Sequence, residues 1–172
     1  MIIAQYNNVI IRHFKKEDIP LIAKFANNKK ISDNLRDAFP NPYTLEDAKS
    51  FFKMVQNQNP ISFFAIEYKN NYVGNIGLSI GEDVYKKSAE IGYFIAEPYW
   101  NKGIATTAIN LLVKYGFNTL NLLRIHACIF EYNSTSMKVL EKCGFSKEGI
   151  AYNAIYKNLK VFNEVRYAII NN

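Results

Sequence analysis

Cysteine is scarce: Cys128 and Cys143 are the only two in 172 residues. Without a Cys-x-x-Cys pair they exclude a disulfide framework and a thioredoxin-like redox motif. Both sit in apolar company and read as reduced core thiols. Histidine is equally scarce. His13 and His126 lie far apart with no ligand-like neighbours, so no metal site is expected. No repeat, low-complexity stretch or Pro/Gly/Ser linker interrupts the chain, and its length suits one core. A single domain over residues 1–172 is therefore expected. No uncharged apolar run approaches the roughly 18 residues that span a bilayer. Met1 to Arg12 shows no basic region followed by an apolar stretch and a small-residue cleavage site. The expected setting is the cytoplasm, with no membrane partner.

What is present is the balance of a folded protein: 49% apolar and 21% charged residues, with 15% aromatic. The formal charge is +6. A basic surface can attract nucleic acid, anionic lipid or a phosphorylated small molecule, or simply solubilise. Its densest clusters are Lys29-Lys30 and Lys86-Lys87. Nucleic-acid modules show clustered Lys and Arg with interleaved aromatics, and that pattern is missing, so nucleic acid is not an expected partner.

Strand-like and helix-like segments alternate. Val9 to Phe14 reads as a strand, and Glu17 to Ala26 as a helix with Ile19, Ile22, Ala23 and Ala26 at helical spacing. Asn27 to Pro42 reads as irregular. Thr44 caps a helix with Glu46 and Asp47 in its first turn. Ser62 to Tyr68 and Tyr72 to Ile80 form a hairpin, followed by a strand over Ala89 to Ile95. Ala105 to Phe117 carries the clearest apolar stripe: Ala108, Leu111, Leu112 and Tyr115. Leu123 to Phe130 is a strand, and Ser134 to Lys142 a helix closed by Gly144. Two strands finish the chain, Ser146 to Tyr156 and Phe162 to Ile170. Hairpins mixed with crossovers imply an α/β protein with a mixed sheet.

Two stretches carry chemistry. In Ala89 to Thr107 a strand enters a turn holding Lys102-Gly103, and that turn opens the best helix. Amides at a helix start point outward with a positive dipole and suit phosphate, and a glycine lets a ligand approach the backbone. Lys102 would add charge, and Thr106 and Thr107 hydroxyl donors. Spacing alone equally fits an ordinary turn. In Glu131 to Phe145, Asn133 and Ser136 open a helix three residues apart, and Asn133 or Ser134 equally fits an N-cap.

Taken in order, Gly92-Tyr93, Tyr99-Trp100-Asn101-Lys102-Gly103-Ile104-Ala105, Asn133-Ser134-Thr135-Ser136 and Gly144-Phe145 resemble the GNAT superfamily of N-acetyltransferases. They resemble most closely the branch of the ribosomal-protein alanine N-acetyltransferases. The likeness runs from Ile10-Ile11-Arg12 to Tyr167. It implies a mostly antiparallel central sheet flanked by helices and acetyl-CoA as the donor. The diphosphate loop would be Asn101, Lys102, Gly103, Ile104, Ala105 and Thr106. Pantetheine would pair with the strand edge near Phe94 and Ile95, opened by a bulge that parts this strand from the next. Asn133 would hydrogen-bond the pantetheine, and Ser136 would lie near the sulfur.

This sequence departs from the wider superfamily at two places. Trp100 stands where the loop pattern begins with Gln or Arg, as in this branch. Leu140 stands where many members place a proton-donating Tyr, which leaves Ser136 for the departing thiolate. The implied reaction is direct attack of a neutral amine on the thioester, with backbone N–H donation near Ile95 to the oxyanion. Glu90, on the face of Phe94 by alternation, is the candidate base through water, or equally a structural carboxylate. An α-amine, with a pKa of about 7.7–8.0, needs less help than a lysine-like amine near 10.4. Paired acids are few, Glu46-Asp47 and Glu82-Asp83, which favours a protein N-terminus or an uncharged-to-anionic small amine over a polyamine. An amino sugar, polyamine or antibiotic amine is the alternative acceptor, and a non-catalytic CoA sensor the alternative class. Lys29 to Tyr43 would form an acceptor-side wall or a packed connection. A second copy of the chain is a candidate partner.

Overall fold

Short strands at the N-terminus close first into a hairpin. In the computed structural model, which describes residues 1–171, β1 (Ile2–Tyr6) pairs antiparallel with β2 (Val9–Arg12). A 3-10 turn, Lys16–Asp18, leads into α1 (Ile19–Ala26), whose Ile22 and Ala26 are buried as the spacing requires. α2 (Lys29–Ser32) and α3 (Leu45–Gln56) follow. Thr44 caps α3 reciprocally with Asp47. β3 (Phe63–Tyr68) and β4 (Asn71–Ile80) form the expected hairpin, turning at Lys69 and Asn70 with φ of 49° and 65°.

β5 (Ser88–Ile95) precedes α4 (Ile104–Asn118), and β6 (Arg124–Phe130) precedes α5 (Ser134–Lys142). β7 (Ser146–Lys157) and β8 (Lys160–Ile170) end the chain as a long hairpin. Hydrogen-bonded neighbours run β1-β2-β3-β4-β5-β6-β8-β7, a mixed and mostly antiparallel sheet flanked by helices. The β5–β6 pair is parallel. Among the described residues no helix is long and apolar enough to cross a membrane.

The chain's contacts group into two compact units. The first comprises Met1–Gly77 and Tyr93–Leu112. Its core joins Phe14, Ile22, Tyr43, Phe52, Tyr72 and Phe94. Beside it lies a buried ionic group. Arg12 donates to both carboxylate oxygens of Asp18, at 2.7 and 2.9 Å, and through Nε to Glu67 at 2.6 Å. Burial pulls the Arg12 pKa down, but the hydrogen bonds and charges of Asp18 and Glu67 outweigh it and hold it raised. The second unit comprises Leu78–Gly92 and the chain from Val113 onward. Ile125, Leu122 and Leu140 are fully buried there.

Two elements escape the sequence pattern. β1 buries too little to alternate, because it is an edge strand of the sheet. α2, inside the stretch read as irregular, has four residues, too few to show a period. The helix expected from Glu17 instead begins at Ile19. Asp18 is drawn aside to accept from Arg12 and from the Lys15 amide.

Candidate active-site residues

The turn between β5 and α4 is shaped by its own side chains. A 3-10 turn, Glu97–Tyr99, follows β5, and the Trp100 indole N–H donates back to the Ile95 carbonyl at 2.6 Å. Asn101 and Gly103 then adopt left-handed conformations, with φ of 60° and 71°. This double reversal delivers the chain into α4, whose first intrahelical bond runs from the Thr107 amide to the Gly103 carbonyl. The helix's opening donors are thus the amides around Ile104, Ala105 and Thr106. A Cβ built on Gly103 would meet no protein atom within 4 Å. The backbone there faces open space, which fits a diphosphate resting directly on amides.

Two side chains expected to reach a phosphate are engaged elsewhere. Lys102 Nζ donates to the Pro98 carbonyl at 3.0 Å and lies 5.1 Å from the Tyr99 ring centroid. Thr107 Oγ1 donates to the Gly103 carbonyl at 3.2 Å. The Lys29-Lys30 cluster is likewise engaged, Lys29 with Asp33 and Lys30 with Glu97.

Phe94 and Ile95 are both buried at the end of β5. Phe94 meets Phe39 edge-on, with ring centroids 5.9 Å apart. The Ala96 amide is spent on the Val73 carbonyl at 2.8 Å. Gly74 packs so closely on this strand that a Cβ would clash with the Phe94 carbonyl oxygen. Glycine is required there by contact, where at Gly103 it is required by conformation.

In the second unit, Asn133 is the N-cap of α5. Its Oδ1 accepts from the Ser136 amide at 3.2 Å. The cap reading is therefore realised, and it uses the oxygen; the two amide N–H groups of Asn133 are chemically separate from it. Ser136 is half-buried on the first turn. Leu140 is fully buried, so the position of the missing tyrosine serves the core.

Glu90 is half-buried and pairs across the parallel register with His126. That register runs from Ser88–Arg124 to Glu90–His126, although β5 continues to Ile95. Ser88 Oγ lies 3.4 Å from His126 Nδ1. Cys128, expected in the apolar core, is half-buried beside carboxylates. Burial first, then the charges of Glu90 and Glu164, push its thiol to about 11. Burial alone pushes Cys143 to about 11. Both thiols are thus protonated at neutral pH and ill suited to nucleophilic work.

Sequence reasoning missed the tie between Glu97 and the segment after α1. Asn28 Nδ2 donates to Glu97 Oε2 at 2.7 Å, and Lys30 pairs with Glu97 Oε1. No local spacing connects residues so far apart in the chain. The Arg12 group was more accessible: an arginine amid Val9, Ile10 and Ile11 calls for buried acidic partners.

The model of the acetyltransferase (GNAT) domain family matches residues 8–146. The uncharacterized N-acetyltransferase YoaA of Bacillus subtilis is 29% identical over 174 aligned residues, covering 98% of this chain and 96% of that protein. The structure of the ribosomal-protein-S5-alanine acetyltransferase from Vibrio fischeri is 25% identical, with a TM-score of 0.82, over 98% of this chain and 96% of that one. The spermidine N-acetyltransferase from Vibrio cholerae, solved with CoA and spermine, is 25% identical, with a TM-score of 0.81, over 95% of both chains. With the family model matched over most of its length, the chain belongs to the GNAT family of acetyl-CoA-dependent N-acetyltransferases.

Proposed function

We propose that this chain, acting as one domain of residues 1–172, acetylates a protein N-terminal α-amine. The donor seat is the backbone of Asn101–Thr106, and the observation that carries it is the left-handed Asn101 and Gly103 turn opening α4 with open space at Gly103. In this reading the side chains of the turn hold its shape and the amides bind the diphosphate. Pantetheine lies along β5 near Phe94 and Ile95, and the Asn133 amide group donates to it.

Glu90 takes the amine's proton through water, and the neutral nitrogen forms its bond to the thioester carbonyl carbon. The Ala96 amide is already bonded to Val73, and a backbone N–H near Ile95 donates to the oxyanion. As the tetrahedral adduct collapses the C–S bond breaks, the nitrogen's second proton leaves through water, and Ser136 donates a hydrogen bond to the departing thiolate. The α-amine is favoured over a polyamine because paired acids are few and one of the two pairs, Glu46-Asp47, is in use. Asp47 caps α3 through Thr44, and Glu46 pairs with Lys49. One observation favours the second reading, a small-molecule amine: the Vibrio cholerae relative was solved with spermine.

The test is thiol release from acetyl-CoA across a panel of N-terminal peptides, polyamines and amino sugars. Release with peptide α-amines is expected. Turnover confined to polyamines or amino sugars would move the acceptor to the second reading. Thermal stabilisation by CoA without turnover on any amine would make the chain a donor-binding sensor.

A further inference from the structure

The segment between α1 and α3 is tied at its neck and at two further points, all within the first unit. The Tyr43 amide donates to Asn27 Oδ1 at 3.1 Å, closing the segment on itself. Phe39 packs 5.0 Å from the Tyr43 ring and edge-on to Phe94 at 5.9 Å. The remaining tie is polar. Asn28 uses both ends of its amide: Oδ1 accepts from the Lys30 amide at 2.9 Å and caps α2, while Nδ2 donates to Glu97 at 2.7 Å. Lys30 Nζ pairs with the other Glu97 oxygen. These bonds hold the Glu97 carboxyl below its ordinary pKa, so it is ionised through the neutral range. Glu97 in turn opens the 3-10 turn that runs into Trp100 and the Asn101–Thr106 loop.

Exposed ion pairs add little to stability. A carboxylate gripped from two directions here instead fixes where the 28–43 segment stands relative to the loop's run-in. We infer that Glu97 is a positioning residue, coupling the acceptor-side wall at residues 28–43 to the donor loop at 101–106. This rests on the donor seat proposed above and on residues 29–43 being the acceptor-side wall rather than a packed connection. When CoA orders the loop, the clasp passes that order to the wall, and the amine meets a preformed surface.

Hydrogen exchange with CoA as the probe tests this without any turnover. In the wild type, CoA slows exchange both at 101–106 and at 28–43. In Glu97→Ala, protection at 101–106 persists and protection at 28–43 is lost. Glu97→Gln still accepts from Asn28 through its amide oxygen and restores part of it. In the acetylation assay, Glu97→Ala raises the acceptor KM about threefold to tenfold, the size of one modest hydrogen bond, and leaves the acetyl-CoA KM unchanged. Equal protection of 28–43 in wild type and Glu97→Ala, or none in the wild type, would overturn the coupling. Exchange coupling without thiol release on any amine would instead sink the acetyl-transfer reading alone. Absence of protection at 101–106 in the wild type would remove the donor seat and the coupling together.

Discussion

The turn from Ile95 to Thr106 and the start of α5 at Asn133 are both helix entrances, and they spend their side chains differently. In the first, Trp100 folds back on the Ile95 carbonyl, Lys102 on the Pro98 carbonyl and Thr107 on the Gly103 carbonyl. The proposed contact with the donor there is through backbone amides. In the second, Asn133 caps with its oxygen alone, and Ser136 stands on the first turn, so in the proposed function side-chain groups act there. Substitutions in the first region should therefore act on donor affinity through the backbone, and those in the second unit through side chains: Glu90 and Ser136 on rate, Asn133 on donor affinity.

The largest effect expected is at Glu90. Glu90→Gln keeps size and polarity but cannot take a proton, so kcat/KM should fall about 100-fold at pH 7. Activity should recover partly as the pH rises through the α-amine pKa near 8, where more of the amine is already neutral. A lowered melting temperature with an unchanged pH profile from about pH 6 to 9.5 would make Glu90 a brace for the sheet. Ser136→Ala comes next. A hydrogen bond to developing negative charge contributes about 1.5–3 kcal/mol, so kcat should drop about tenfold or more with the acetyl-CoA KM little changed. Full kcat with chemistry rate-limiting would leave Ser136 as a first-turn residue only.

Two smaller effects sharpen the contrast. Trp100→Phe removes the indole bond to Ile95, and acetyl-CoA binding by calorimetry should weaken by about 1 kcal/mol while kcat holds. A loss of kcat instead would mean that the turn shapes the reacting end as well. Asn133→Asp keeps the capping oxygen and loses the amide donors. It should raise the acetyl-CoA KM by about 1–2 kcal/mol without lowering the melting temperature, whereas Asn133→Ala should lower both affinity and stability. If Asn133→Asp matches the wild type in KM, the residue is a cap and nothing more.

Much of this was legible from local chemistry. The Thr44 cap, the hairpin before β4 and the helix after Gly103 depend on residues within a turn of one another, and each stands where the pattern places it. The turn proposed to seat the donor was visible for the same reason, since Trp100, Asn101 and Gly103 are neighbours in sequence. What spacing could not show were contacts closed by the fold. Glu97 meets Asn28 and Lys30 across the first unit, although they lie some seventy residues apart in the chain. Cys128 looked apolar from its sequence neighbours, yet strand pairing sets it among residues from β5 and β8. Alternation identifies a face but not what the adjacent strands contribute to it.

The central claim, that backbone amides at Asn101–Thr106 seat the donor, is tested most directly by calorimetry of acetyl-CoA on Gly103→Ala. A Cβ at Gly103 touches no protein atom, so the folded variant pays only for a left-handed alanine, about 1–2 kcal/mol. The expected result is a folded protein with a modestly lower melting temperature and donor affinity weakened by about tenfold or more, equivalent to about 1.4 kcal/mol. A folded Gly103→Ala that binds acetyl-CoA as tightly as the wild type would contradict the claim.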